Sequence, residues 1–257
     1  MAVGGALTGN GNYNFLINDP AGLATNPDYA TVGVTGISQQ IGAFTVANPA
    51  GVLSAANALT LLWGGPNDFF LGFAQFLNGM TVDFAALTAQ AVFNMAANIV
   101  ALATGPTAAR NILVPNMPDL GLTPALLAAP AGVAALATDL TDAYNFGLAA
   151  AIAKAATDLE PLGVRLYTFD TSAFFRDAVG SPPDGITVTG VPCVFVPGAL
   201  EAGCPGFLFF DGVHPTTFAH GLLANEFHEA VIPEPSTYAL MALGLLALAF
   251  ASRRRRA

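Results

Sequence analysis

The sequence predicts an α/β fold built on a parallel sheet, and three observations carry that prediction. Short apolar runs of strand length recur along the chain and end in Gly- and Pro-rich turns. Between them lie proline-free, alanine-rich stretches of helical length. Of the 257 residues, 54% are hydrophobic and only 10% charged, enough apolar side chains for one sizeable core. Residues 58–63 (ALTLLW) form the first run, a buried strand feeding the loop Gly64-Gly65-Pro66. Residues 81–103 follow as a helix, expected to be largely buried because Ala, Leu, Phe and Met dominate it. Residues 111–115 (NILVP) read as a second buried strand, closed by Pro115, Pro118, Gly121 and Pro124. A second long helix spans 138–159 and stops at Glu160-Pro161-Leu162-Gly163. Residues 164–169 (VRLYTF) give a third strand, after which Asp170, Thr171 or Ser172 can cap a short helix over 173–178. Residues 180–210 hold five prolines and read as an irregular surface loop or lid. Residues 215–231 return to helix, with Thr216 or Thr217 as cap.

Charge narrows the function classes. Four of the eight basic residues are Arg253 to Arg256, so residues 1–252 carry seventeen acidic and four basic side chains, a balance of −13. Arg110, Lys154, Arg165 and Arg176 are too few to line a nucleic-acid groove. The two cysteines, Cys193 and Cys204, cannot make a cysteine zinc site or a disulfide scaffold; one bridge or two buried thiols fit equally well. His220 and His228 lie eight apart on one expected helix with no third ligand in view, so no metal and no cofactor is expected.

The last 25 residues differ from the rest. Pro233-Glu234-Pro235 precedes an apolar run over 237–252, and four arginines follow. Sixteen residues fall short of the ~20 that cross a bilayer unaided, but a terminal arginine cluster suits a stop-transfer helix better than a core helix. The ordered combination resembles the PEP-CTERM sorting signal of Gram-negative bacteria. That resemblance implies export, processing by an exosortase, and either anchoring in the inner membrane through a C-terminal transmembrane helix or release to the cell surface or matrix. The first nine residues, MAVGGALTG, contain no basic n-region and no apolar h-region.

Two loops after expected strands are polar in an apolar chain, Gly65-Pro66-Asn67-Asp68 and Asp211-Gly212-Val213-His214-Pro215. In open α/β sheets, ligands bind at the carboxyl ends of strands, so these loops are the candidate site. Asp211 precedes His214 by three residues, which lets a carboxylate hold one ring nitrogen while the other faces a substrate, the base and orienter of acyl transfer. With these blocks in view, residues 2–230 resemble the SGNH/GDSL hydrolases, esterases and lipases of flavodoxin-like, three-layer fold. The match rests on Gly4-Gly5-Ala6, on Gly65, Asn67 and Asp68, on residues 114–121, and on Asp211, His214 and Pro215. It implies an ester substrate, His214 as general base, Asp211 as its orienter, and Asn67 and the Gly5 amide as oxyanion donors, with Asp68 supporting the loop. Trp63, Phe69, Phe70 and Phe73 suit core packing or an acyl pocket.

The family's Gly-Asp-Ser nucleophile block, which belongs before the glycine element, does not occur. None of the six serines (Ser38, Ser54, Ser172, Ser181, Ser236 and Ser252) sits in a nucleophile elbow. The expectation is a hydrolase domain over 1–231 with its first strand and nucleophile missing, followed by a sorting segment over 232–257. Such a chain should be inactive on esters and should present an unpaired sheet edge. Two rivals stand beside it: a non-catalytic envelope or matrix protein that binds glycans or partners, and an anchored structural protein whose Asp211 and His214 are ordinary loop residues.

Overall fold

A computed structural model of the chain describes residues 5–13, 16 and 35–232. The Pro-Glu-Pro motif, the apolar run with its expected transmembrane helix, the arginine cluster and Gly4 all lie outside those residues. Along the described chain run helix α1 (Ile37–Ala47), strand β1 (Thr60–Leu61), α2 (Pro66–Leu77), α3 (Phe84–Thr104), β2 (Asn111–Pro115), the short α4 (Pro124–Leu127), α5 (Val133–Leu159), β3 (Arg165–Phe169), α6 (Thr171–Gly180), β4 (Ile186–Val188), β5 (Gly206–Phe207) and α7 (Thr217–Val231).

Strands β1, β2 and β3 form a parallel sheet in that order, with Thr60 opposite Ile112 and residues 111–115 opposite 165–169. Every residue of β2 is buried, as expected of a central parallel strand covered on both faces. On one face Ile112 and Val114 meet the buried stripes of α3 (Met95, Ile99, Leu102) and α5 (Tyr144, Leu148, Ile152). On the other, Phe227 of α7 packs edge-on against Trp63 and Phe169, at ring-centroid distances of 5.6 and 5.1 Å. The result is an α/β arrangement with helices on both faces of a parallel sheet, consistent with the SGNH-like layering.

Several boundaries and burials differ from the sequence reading. The first strand is two residues long, and of its run only Leu62 is buried; Leu59 and Leu61 are about half exposed. The cause is position: among the described residues β1 has one strand neighbour, β2, so its outer edge is open. Helix α3 starts at Phe84 under the Asp83 cap, which accepts the Ala86 N–H at 2.9 Å. It is half buried rather than largely buried, because only one stripe faces α5 and α1 while Phe93 and Val100 point outward. Helix α5 starts five residues earlier than residue 138, at Val133. Helices α1 and α2 were not foreseen: Gly42, Thr45 and Val46 weaken the helical signal of one, and Gly-Pro masks the start of the other.

The excursion over 180–210 contains a small parallel pair, β4 with β5, and a disulfide between Cys193 and Cys204. The alternative of two free thiols is thereby excluded. At α7, Thr216 is the cap: its Oγ1 accepts the Ala219 N–H at 3.2 Å and donates to the Phe207 carbonyl at 2.8 Å.

Candidate active site

The Gly-Gly-Pro-Asn-Asp segment is a strand-to-helix turn rather than a free loop. Gly65 takes φ +124°, a conformation closed to side-chain-bearing residues, and Pro66 opens α2 with its fixed φ. Asn67 and Asp68 therefore lie in the first helical turn, beside residues 5–12. Asp68 accepts both the Thr8 N–H (2.9 Å, Oδ2) and the Thr8 hydroxyl (2.8 Å, Oδ1). Asn94 donates to Thr8 Oγ1, Asn98 donates to the Thr8 carbonyl, and Ser38 donates to Asn98 Oδ1. Burial pushes the Asp68 carboxyl above its ordinary value, outweighing the opposing pull of the Thr8 hydrogen bonds. The carboxylate thus acts as a loop anchor, the supporting part expected of it.

Asn67 Nδ2 donates one hydrogen to the Ala6 carbonyl at 3.0 Å. Its second amide hydrogen is chemically available to an acceptor in the cleft. The same loop holds Gly5, with φ +77°, whose carbonyl accepts the Tyr13 N–H.

Far along the chain, Asp211 closes a tight turn. Its Oδ1 accepts the N–H groups of Val213 (2.9 Å) and His214 (2.7 Å), and its Oδ2 lies 2.8 Å from His214 Nδ1. Burial alone would raise the Asp211 carboxyl, but these two amides and the imidazole together hold it below the ordinary carboxylate value. An ionised carboxylate only accepts, so Nδ1 is the donor, and in the neutral ring Nε2 carries the lone pair. Phe210 N–H to the His214 carbonyl and Thr216 N–H to the Leu208 carbonyl brace the turn, and Ala125 N–H reaches the Gly212 carbonyl from a neighbouring segment.

Gly5, Asn67 and His214 line one cleft of about 880 Å³, with Asp211 behind His214. Ile37, Ile41 and Phe44 of α1, Leu59 just before β1, Leu61 of β1, and Phe70 and Phe73 of α2 make its walls apolar. Phe69 is core, while Trp63 lines the cleft and donates from its indole to the Asn116 carbonyl. No serine, lysine or arginine is among the described residues lining the cleft. Ser172 is buried in the first turn of α6, and Ser38 is committed to Asn98. His220 also lines the cleft, a position its place on a helix did not reveal.

Sequence reasoning missed the Thr8–Asn94–Asn98–Ser38 network, whose hydrogen-bonded pairs lie 30–90 residues apart. It also missed Asp119, buried and joined to Arg176 at 2.8 Å, with Arg176 reaching on to Asp142 at 2.6 Å. The bond to Asp119, and secondarily that to Asp142, raises the guanidinium pKa.

Comparison with known proteins gives three results. Residues 1–227 match the GDSL-like lipase/acylhydrolase family, and residues 231–256 match the PEP-CTERM protein-sorting motif. The chain is 30% identical over 176 residues to esterase EstA of Pseudomonas aeruginosa strain PAO1, and equally to esterase EstA of Pseudomonas putida. Each alignment covers 66% of this chain and 25% of the relative, so the match spans about a quarter of the length of these curated proteins. With a family match running from the glycine loop through the Asp211–His214 turn, the chain belongs to the GDSL-like lipase/acylhydrolase family and carries a PEP-CTERM sorting motif.

Proposed function

We propose that the chain supplies the base, its orienter and the oxyanion donors of a serine-type hydrolase of carboxylic esters. The observation that carries this reading is the Asp211–His214 pair opening on the same cleft as Gly5 and Asn67. In the reaction, a serine hydroxyl attacks the ester carbonyl and His214 Nε2 takes its proton, with Asp211 holding the ring and stabilising the imidazolium. The tetrahedral oxyanion receives the Gly5 N–H and the free Asn67 amide hydrogen, each such donor being worth roughly 3 kcal/mol. His214 then protonates the departing alcohol, and water releases the acid from the acyl-enzyme. The apolar walls and the lack of a cation in the described lining suit an uncharged acyl group.

No serine of this chain serves as nucleophile in this reading. The hydroxyl belongs to a Gly-Asp-Ser strand seated at the open edge of β1, and residues 1–257 alone hydrolyse no ester. Residues 1–231 act as the hydrolase domain and 232–257 as the sorting segment, which takes the exported protein to the inner membrane and to an exosortase before release at the cell surface.

The test is hydrolysis of p-nitrophenyl esters by this chain and by a longer chain carrying an upstream Gly-Asp-Ser block. The expected result is no turnover by the first and turnover by the second, lost at least ~10³-fold in His214→Ala. Hydrolysis by the 257-residue chain that His214→Ala abolishes would refute the missing-nucleophile part, and indifference of the longer chain to His214→Ala would refute the role of the base. The serine-free described lining favours a second reading, a non-catalytic envelope protein that binds a glycan or partner in the cleft. Binding without turnover in the longer chain would select it.

A further inference from the structure

The turn that carries Asp211 and His214 is short, and it is not anchored by the main core. Phe209 bridges to Pro215 in a narrow antiparallel loop whose tip holds the pair. The outer side of that loop is bonded to the disulfide segment: Cys193 N–H donates to the Phe209 carbonyl and Val194 N–H to the Phe210 carbonyl, each at 3.0 Å. Phe210 immediately precedes Asp211. On the entering side, Cys204 lies two residues before β5, and the Phe207 N–H returns to the Cys204 carbonyl. The bridge therefore clamps both the partner of the loop and the strand that leads into it.

The other support is a small cluster in which Leu208 and Phe209 pack with Phe175, Ile186 and Ala219, together with the Ala125 N–H on the Gly212 carbonyl. The buried cluster around the bridge consists of Cys193, Cys204 and Phe207, apart from the larger cores. Cys204 has φ +58°, a left-handed conformation that a side-chain-bearing residue keeps only where its surroundings impose it. Both cysteines are buried, Cys193 completely.

Resting on the ester-hydrolase reading above, we propose that the Cys193–Cys204 disulfide is a positioning element for the His214 base, so that the Asp211–His214 geometry is completed only in an oxidising compartment. The two thiols lose two protons and two electrons to an oxidised dithiol carrier by thiol–disulfide exchange, which forms the Sγ–Sγ bond and leaves the carrier as a dithiol. Before export the thiols stay reduced and the base turn is loose; after export the bridge closes and the turn sets. The sorting motif at residues 231–256 places the chain on such a route.

The experiment uses the full 257-residue chain, oxidised and treated with a phosphine reductant, alongside the double variant Cys193→Ser/Cys204→Ser. Hydrogen exchange by mass spectrometry follows residues 206–216 and, as internal reference, 111–115. Long-range ¹H–¹⁵N spectra follow the ring tautomer of His214, assigned with His214→Ala. Loss of the bridge is expected to speed exchange in 206–216 at least tenfold, leave 111–115 within twofold, and shift His214 from the Nδ1–H tautomer toward the Nε2–H form of a free imidazole. An unchanged tautomer in the reduced chain and in the double variant overturns the proposal. So does equal loss of protection in 111–115, which makes the bridge a global staple. Neither readout needs a substrate, so failure here and failure of the ester-hydrolase reading are separate results.

Discussion

Asp68 shows how one side chain links burial to the site. Its folded pKa lies above the 3.8 of the free group, so the folded chain binds more protons than the unfolded one in the interval between the two values. Its contribution to stability therefore falls as pH rises through that interval. Asp68→Asn removes this slope while keeping one acceptor for Thr8. The difference in melting temperature, variant minus wild type, should rise in scanning calorimetry as pH climbs from 3.8 through the higher folded value; a flat difference refutes the assignment. Asp211 has the opposite sign: its depressed pKa gives stability that is present above 3.8 and lost as pH falls through the lower folded value. At Gly65, an added methyl group meets a Tyr144 ring carbon at 2.9 Å on a backbone with φ +124°. Gly65→Ala should cost at least about 3 kcal/mol in urea unfolding, strain and clash acting together. The Asp211–His214 pair was legible in the sequence because its geometry is local, three residues within one turn. The Thr8 anchor was not, since Asp68, Asn94 and Asn98 reach it only after the chain has folded back on itself.

Among the elements, side-chain caps set the starts of α3, α6 and α7, at Asp83, Asp170 and Thr216. The sequence left Thr216 and Thr217 as equal candidates for the start of α7. The fold selects Thr216, because only its hydroxyl also reaches the Phe207 carbonyl beside β5. Thr216→Ala should therefore cost about 2 kcal/mol and lower the melting temperature by roughly 4–8 °C, whereas exposed Thr217→Ala should change it by no more than about 1 °C. Equal effects at the two positions would remove the cap from Thr216. Helices α3, α5 and α7 were readable because long proline-free apolar stretches leave few alternatives. Helix α1 was not, because it buries none of its own residues and draws its order from contacts to α3 and the glycine loop.

For the whole molecule, the open edge of β1 is the main consequence of the architecture. Among the described residues β1 pairs with β2 alone, and Leu59 and Leu61 stand about half exposed there; exposed sheet edges of this kind template association. Leu61→Lys should shift the full chain toward monomer in light scattering at constant fold, as judged by circular dichroism; unchanged association would place the contact elsewhere. By itself the sequence determined the α/β class, the three strand positions, the Asp211–His214 pair, the glycine and Asn67 blocks and the sorting tail. Each of these is written in local spacing, composition or a short motif. Tertiary structure alone decided that Gly5, Asn67 and His214 share one cleft, that no described serine lines it, that Cys193 and Cys204 are joined, and that β1 is an edge among the described strands. These are relations between segments far apart in sequence, fixed by how parallel strands stack and which loops meet at their carboxyl ends.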